Sequence, residues 1–381
     1  MKKLTIILLL FAFVYTPTGV FALEDAPISS AYIVIESSTG QVIAENNADE
    51  RLGLASLTKI MLLLLIAEEI NANRLCLTEE VKVSAHASSK TGSVIWLEPG
   101  EVMSVEDLVK SVVISSANDA TVALAEFIGT TEEKFVALMN QKAYVLGMKN
   151  TNFTNAVGYD EPNHYSTARD VAIMSRALMR EANYTIFADN MLTRLSSVRT
   201  GTERETQLVN TNNLITYYKG IEGIKTGTTD NAGFCLSASA TRANMQLISV
   251  VMGCKDNFDR VDLSEKLLDF GFGGYVLHTP ESQTAFPPLF VEGGITHELI
   301  LEELTPPAIV LPRGRADSLK FEVYLPNEVT APILKSQPIG TVTAKLDGEV
   351  VYESYIVAAH SVQKVTFWRI LEGMVRCFFG V

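Results

Sequence analysis

Residues 60–67 form an unbroken apolar run, entered directly from Ser56-Leu57-Thr58-Lys59 and closed by Glu68-Glu69. A run this short cannot cross a bilayer, which takes about 20 residues. It predicts instead a helix buried on every face. Positions i and i+3 of a helix share a face, so Lys59 stands one turn from Ser56, its amine within reach of the hydroxyl. A helix cap beside a snorkelling lysine is the plain structural explanation. A serine and a basic amine at the head of a wholly buried helix are odd without a use, but taken alone the structural explanation stands.

Two further polar motifs follow in order. Ser116-Ala117-Asn118 lies between apolar stretches at 109–114 and 120–127, with Ser104 and Asp107 as the capped start of the first. Taken alone it is a helix–helix corner. Lys225-Thr226-Gly227 follows Gly220 and Gly223 and precedes β-like runs at 234–240 and 245–252, joined by a turn at Arg242-Ala243-Asn244. That pattern predicts an antiparallel hairpin, with the motif at the start of its first strand or on a neighbouring edge. An extended peptide can pair with such an edge. Ser361 to Lys364 repeats the first motif and Lys90-Thr91-Gly92 the third. Both fail on order and context.

Ser-x-x-Lys, Ser-x-Asn and Lys-Thr-Gly in this order are the active-site set of penicillin-binding proteins and serine β-lactamases. The resemblance is wider than the motifs. Residues 55–61, 164–170 and 223–229, with Ala232-Gly233-Phe234, resemble the low-molecular-mass penicillin-binding proteins that are serine-type D-alanyl-D-alanine carboxypeptidases. Ala331-Pro332-Ile333 and Gly340-Thr341-Val342 resemble that group's C-terminal domain. Thr228 stands where relatives often carry His.

The expected fold is α+β: a penicillin-binding, β-lactamase-like catalytic domain with an antiparallel sheet and helices, then a C-terminal all-β domain and a terminal amphipathic helix. Residues 1–22 read as a secretory signal, with Lys2-Lys3, an apolar segment at 4–14 and a small-residue site at Val20-Phe21-Ala22. An uncleaved anchor is the alternative. The catalytic domain is placed at 23–280 and the β-rich domain at 281–361, where prolines cluster and Asp347-Gly348 marks a tight hairpin turn. Residues 362–381 put Phe367, Trp368, Leu371, Met374, Val375, Phe378 and Phe379 on one side of a helix and Arg369, Glu372 and Arg376 toward the other. That predicts a helix lying in the membrane surface; docking on the chain's own β-domain is the alternative.

The net charge of −13 and five scattered histidines exclude nucleic acid as a partner. None of the four cysteines has zinc spacing, and neither a metal nor a cofactor is expected. Cys235 and Cys254 lie on the two arms of the expected hairpin, which leaves a disulfide or two buried thiols open.

Attack on an amide needs a base for Ser56. Of the histidines only His86 and His164 precede Lys225, neither with an obvious partner. Lys59 can serve if desolvation and the Lys225 cation neutralise it. Lowering its pKa from about 10.4 to near 7 costs roughly 4 kcal/mol. Ser116 would relay a proton to the leaving D-alanine, and Asn118 would hold Lys59 and the substrate backbone. Lys225 and Thr226 would bind the terminal carboxylate, and Gly227 would let the strand approach closely. The resemblance implies the backbone N–H groups of Ser56 and Thr228 as an oxyanion hole. The expected partners are a peptidoglycan stem peptide ending in D-Ala-D-Ala, β-lactams that acylate Ser56, and the membrane surface. The expected location is the outer face of the bacterial cytoplasmic membrane. A serine β-lactamase needs a second base, and Glu161-Pro162-Asn163 matches that loop poorly. A DD-endopeptidase shares the whole site. A non-catalytic wall-binding scaffold has no use for intact Ser56, Lys59 and Lys225. Arg169 and Asp170 read as structural.

Overall fold

The computed structural model describes residues 29, 31–181, 185–200, 204–279, 285–305, 307–369, 371 and 374–375. The signal segment expected at 1–22 lies outside the described residues. The chain divides into two compact units between Gly274 and Tyr275.

The first unit opens with hairpin β1 (Ala31–Glu36) and β2 (Val42–Asn46), followed by α1 (Lys59–Asn71). Next come β3 (Glu80–Lys82), α2 (Ala85–Ser88), β4 (Val102–Ser104), α3 (Val105–Ser115), α4 (Asn118–Gly129), α5 (Glu132–Leu146), α6 (Ala168–Arg180) and α7 (Thr185–Leu192). It closes with β5 (Leu195–Thr200), β6 (Arg204–Val209), β7 (Ile221–Thr229), β8 (Gly233–Arg242), β9 (Met245–Cys254) and α8 (Asn257–Gly274). Strands from both ends join one antiparallel sheet of order β2-β1-β9-β8-β7. The expected hairpin is β8–β9; its turn is made by Ala243 and Asn244, both left-handed at φ 46° and 67°. Lys225-Thr226-Gly227 lies on the neighbouring strand β7, at the sheet edge, with Lys225 opposite Ser237 and Gly227 opposite Cys235.

Helices cover both faces. Ser175 of α6 meets Ser237 of β8 at 2.8 Å on one face, and Gly271 of α8 lies against Leu247 of β9 on the other. That is why β8 and β9 are buried almost throughout rather than alternately. Helix α1 follows the apolar run and is buried from Lys59 to Leu64 and at Ile66 and Ala67. Ser104 caps α3 by accepting from the Asp107 N–H at 3.1 Å.

The second unit is all-β among its described residues, apart from one short 3-10 turn and a few helical residues near the C-terminus. It comprises β10 (Tyr275–His278), β11 (Leu289–Glu292), β12 (Glu298–Leu299), β13 (Ile309–Pro312), β14 (Leu319–Tyr324), β15 (Glu328–Thr330), β16 (Pro338–Leu346) and β17 (Glu349–Val357). They form small sheets ordered β14-β16-β17, β12-β11-β15 and β10-β13. Asp347 and Gly348 turn the β16–β17 hairpin at φ 51° and 92°. Residues 367–369, 371 and 374–375 are helical; the rest of the segment expected as an amphipathic helix lies outside the described residues.

Candidate active site

Ser56 stands in a short 3-10 turn, Ala55–Thr58, that leads straight into α1. One helical turn on, the fully buried Lys59 places its Nζ 2.9 Å from Ser56 Oγ, 2.8 Å from Asn118 Oδ1 and 2.8 Å from the Val157 carbonyl. No carboxylate is among these neighbours. Burial first, and the Lys225 charge second, hold the Lys59 amine well below the usual lysine range. Both effects are the ones the sequence demands of a lysine base.

The α3–α4 corner brings Asn118 to this point, with Ser116 two residues before it. Ser116 ends α3 in the left-handed conformation (φ 60°), and its buried Oγ has no hydrogen-bond partner. A buried hydroxyl without a partner is costly unless a ligand or water completes it. Asn118 opens α4 and donates from Nδ2 to the Thr91 carbonyl at 2.6 Å. Thr91 belongs to Lys90-Thr91-Gly92, the copy of the third motif set aside on order and context. It is not that motif, yet its backbone orients Asn118. Next to Asn118, the buried Asp119 accepts from the Ile95 and Leu97 N–H groups and fixes the same segment.

Strand β7 supplies the third side. A Cβ on Gly227 would lie 2.9 Å from the Leu54 carbonyl oxygen and 3.0 Å from Ser56 N, so only glycine lets β7 run this close to the serine. Lys225 is buried, and burial, then the Arg260 charge, push its amine down to about 7. The Thr226 hydroxyl bonds that of Thr211. Thr228 donates to the Gly227 carbonyl at 2.7 Å.

Arg260, from α8, is the cation that the motifs did not reveal. Its Nη1 donates to the Gly227 carbonyl (3.0 Å), Thr228 Oγ1 (3.0 Å) and the Cys235 carbonyl (3.3 Å). Its guanidinium lies over Phe234, 5.4 Å from the ring centre. Arg260 places a guanidinium beside the end of β7, and its charge is one of the two causes that lower the Lys225 amine. Its only sequence signal was an arginine in a helix following the hairpin, which many folds share.

The two histidines that looked unpartnered each have one, which corrects that expectation. His86 Nε2 lies 2.7 Å from Glu132 Oε2, and Lys90 Nζ donates to the same oxygen at 2.8 Å. Burial pushes the Glu132 carboxyl up, but bonds from Lys90, the Ala156 N–H and His86 outweigh it and hold the group below the usual range. Glu132 thereby ties the Thr91 segment to the loop that carries Val157. His164 is buried against Thr58, Nε2 to Oγ1 2.9 Å. Arg169 pairs with Glu45 and Asp49, and Asp170 accepts from Asn150 N and Thr151 Oγ1; both brace the loops around α6. Cys235 and Cys254 are free, buried thiols. Among the described residues no group of three or more acidic, histidine or cysteine side chains could hold a metal ion.

A buried amine against a hydroxyl, with a second lysine and an arginine at the adjacent strand edge, suits nucleophilic attack on an amide next to an anionic group. Comparison with known proteins agrees. Residues 21–256 match the family described as D-alanyl-D-alanine carboxypeptidase, and residues 294–364 match the penicillin-binding protein 5 C-terminal domain. The chain is 38% identical to D-alanyl-D-alanine carboxypeptidase DacF of Bacillus subtilis (strain 168), over 98% of this chain and 97% of the relative. It is 36% identical to D-alanyl-D-alanine carboxypeptidase DacC of Escherichia coli (strain K12), over 94% and 91%. Crystal structures of penicillin binding protein 5 from Haemophilus influenzae superpose with a TM-score of 0.82 at 30% identity, covering 90% of this chain and all of that one.

Proposed function

Because the chain belongs to the D-alanyl-D-alanine carboxypeptidase family, we propose that it removes the terminal D-alanine of peptidoglycan stem peptides by a serine mechanism, with Ser56 as nucleophile and Lys59 as its base. The observation that carries this reading is the trio of contacts at Lys59 Nζ. A neutral amine has two protons and one lone pair. It donates to Asn118 Oδ1 and the Val157 carbonyl, and its lone pair is left for the Ser56 hydroxyl proton.

The substrate lies antiparallel to β7, its terminal carboxylate toward Lys225, Thr226 and Arg260. Ser56 Oγ attacks the carbonyl carbon of the penultimate D-alanine while its proton passes to Lys59 Nζ. The oxyanion is held by the N–H groups of Ser56 and Thr228; one such donor is typically worth about 3 kcal/mol. Collapse breaks the C–N bond, and the proton moves from Lys59 through the Ser116 hydroxyl to the departing amine. Water then attacks the ester, Lys59 takes its proton, and Ser56 is released. A β-lactam follows the first half of this route and stays as an acyl-enzyme.

A β-lactamase would need a second base for fast deacylation, and Glu161 in the candidate loop is exposed rather than set against Lys59. The test is release of D-alanine from a peptide ending in D-Ala-D-Ala, together with covalent labelling by a reporter penicillin. We expect both in the full chain and neither in Ser56→Ala. A labelled Ser56→Ala chain refutes the nucleophile; rapid turnover of penicillin favours the β-lactamase.

We further propose that the C-terminal segment rests on the outer face of the bacterial cytoplasmic membrane. Phe367, Trp368, Met374 and Val375 are all exposed, as an in-plane helix with an apolar face requires. Among the described residues no helix is long and apolar enough to cross a membrane.

A further inference from the structure

The residue before the nucleophile is held in an unusual conformation. Ala55 has φ 48°, in the left-handed region that costs a non-glycine residue roughly 1 kcal/mol or more. Its carbonyl and the Ser56 N–H belong to one planar trans peptide unit, so they point in opposite directions. Whatever fixes the Ala55 oxygen therefore fixes the Ser56 N–H.

Two contacts fix that oxygen. The Thr58 hydroxyl donates to it at 2.8 Å. Gly158 (φ 93°) presses against it so closely that a Cβ there would sit 1.9 Å away. Thr58 has one hydroxyl proton, and what commits that proton to Ala55 is His164. The Thr154 backbone N–H donates to His164 Nδ1 at 3.1 Å, so in the neutral ring the proton is on Nε2. Nε2 then donates to Thr58 Oγ1 at 2.9 Å, which leaves the Thr58 proton no target but the Ala55 carbonyl. The chain Thr154 N–H, His164, Thr58, Ala55 carbonyl runs in a single direction. His164, Thr58 and Ala55 are buried, and Thr154 belongs to the same loop whose Val157 carbonyl holds Lys59.

From this geometry we infer that His164, acting through Thr58, is a positioning residue that aims the Ser56 N–H at the developing oxyanion. This rests on Ser56 being the nucleophile. The loop at 154–164 thus sets both the base, through Val157, and the oxyanion donor, through His164 and Gly158.

Four variants of the full chain test it, each checked for native folding by circular dichroism: Thr58→Val, Thr58→Ser, His164→Leu and His164→Gln. Two quantities are read: the acylation rate with a penicillin, and the ester carbonyl stretch of the acyl-enzyme by isotope-edited infrared spectroscopy. We expect Thr58→Val and His164→Leu to acylate about 10- to 100-fold more slowly, less than or near the loss of a whole oxyanion donor. Their ester band should move to higher frequency, because a carbonyl released from its donors regains double-bond character. Thr58→Ser keeps the hydroxyl and His164→Gln keeps an N–H donor, so both should stay near the parent in rate and band. A folded Thr58→Val with the parental band position overturns the inference, whatever its rate. If His164→Leu does not fold, Thr58→Val decides alone, because it preserves the histidine and the volume. A Ser56→Ala chain that is still labelled would refute the nucleophile itself, an outcome separate from an unmoved band.

Discussion

Strands β8 and β9 of the first unit are buried along nearly all their length, whereas β14 of the second keeps five of its six residues exposed. The difference follows from what covers each sheet. Helices α6 and α8 close both faces of the large sheet. In the second unit, β16 alternates between buried and half-buried residues, as a sheet with one dry face does. Among the described residues, every buried polar or charged side chain lies in the first unit. Only a dry, two-sided core lets a protein strip water from Lys59, Lys225 and His164 and shift their proton affinities by burial. The second unit carries lysines and histidines only in exposed or half-buried positions.

The largest effect that should separate the regions comes from removing a lysine. Lys59→Met is expected to lower the acylation rate with a labelled penicillin on the order of 10³-fold, the scale of a lost general base. Lys345→Met removes an amine from the half-exposed Glu322–Lys345 pair of the second unit. It should leave acylation untouched and shift stability by under about 0.5 kcal/mol. Equal acylation by the two variants would show that burial confers nothing on Lys59.

A smaller effect concerns acid. Burial, opposed by the Glu161 and Asp160 charges, pushes His164 down from the usual histidine range to about 4. Between that value and about 6.5 the unfolded chain binds a proton that the native first unit does not, so stability rises with pH across this window. The histidine alone contributes about 3 kcal/mol of that rise. It is lost as pH falls from about 6.5 and fully lost below about 4. Denaturant unfolding of the full chain, followed by signals from each unit, should show this slope in the first unit. His164→Gln should flatten it. An unchanged slope in His164→Gln would place the proton uptake elsewhere.

How much of this was readable from the chain divides along the same line. Helix α1, the β8–β9 hairpin and the Asp347-Gly348 turn were legible because their signals are local: an apolar run, paired β-like runs, a pair of turn residues. The Ser56–Lys59 contact was legible because helical spacing sets it. The remaining site contacts depend on chain that returns from far away. Val157 offers a backbone carbonyl to Lys59 across 98 positions, and His164 meets Thr58 across 106. A carbonyl has no residue-type signature, so nothing at Val157 marks it. Arg260 likewise acts on two carbonyls and a hydroxyl of neighbouring strands. Lys90-Thr91-Gly92 shows the converse: a motif copy of no weight by order whose backbone still serves the site.

The smallest effect tests whether the second unit is as forgiving as its exposure implies. Gly348 has φ 92°, and an added Cβ there meets nothing within 4 Å. Gly158 has nearly the same φ, 93°, but its Cβ would collide with the Ala55 carbonyl. The two glycines thus separate backbone strain from steric exclusion. Gly348→Ala should show strain alone, about 1 kcal/mol, partly offset by the lower entropy of the unfolded chain. Denaturant melts of the second unit's signal should move by that amount, with acylation of Ser56 unchanged. A shift of several kcal/mol would mean that the β16–β17 turn is held by contacts as tight as those behind Ser56, and the contrast drawn between the two units would fail at its most exposed point.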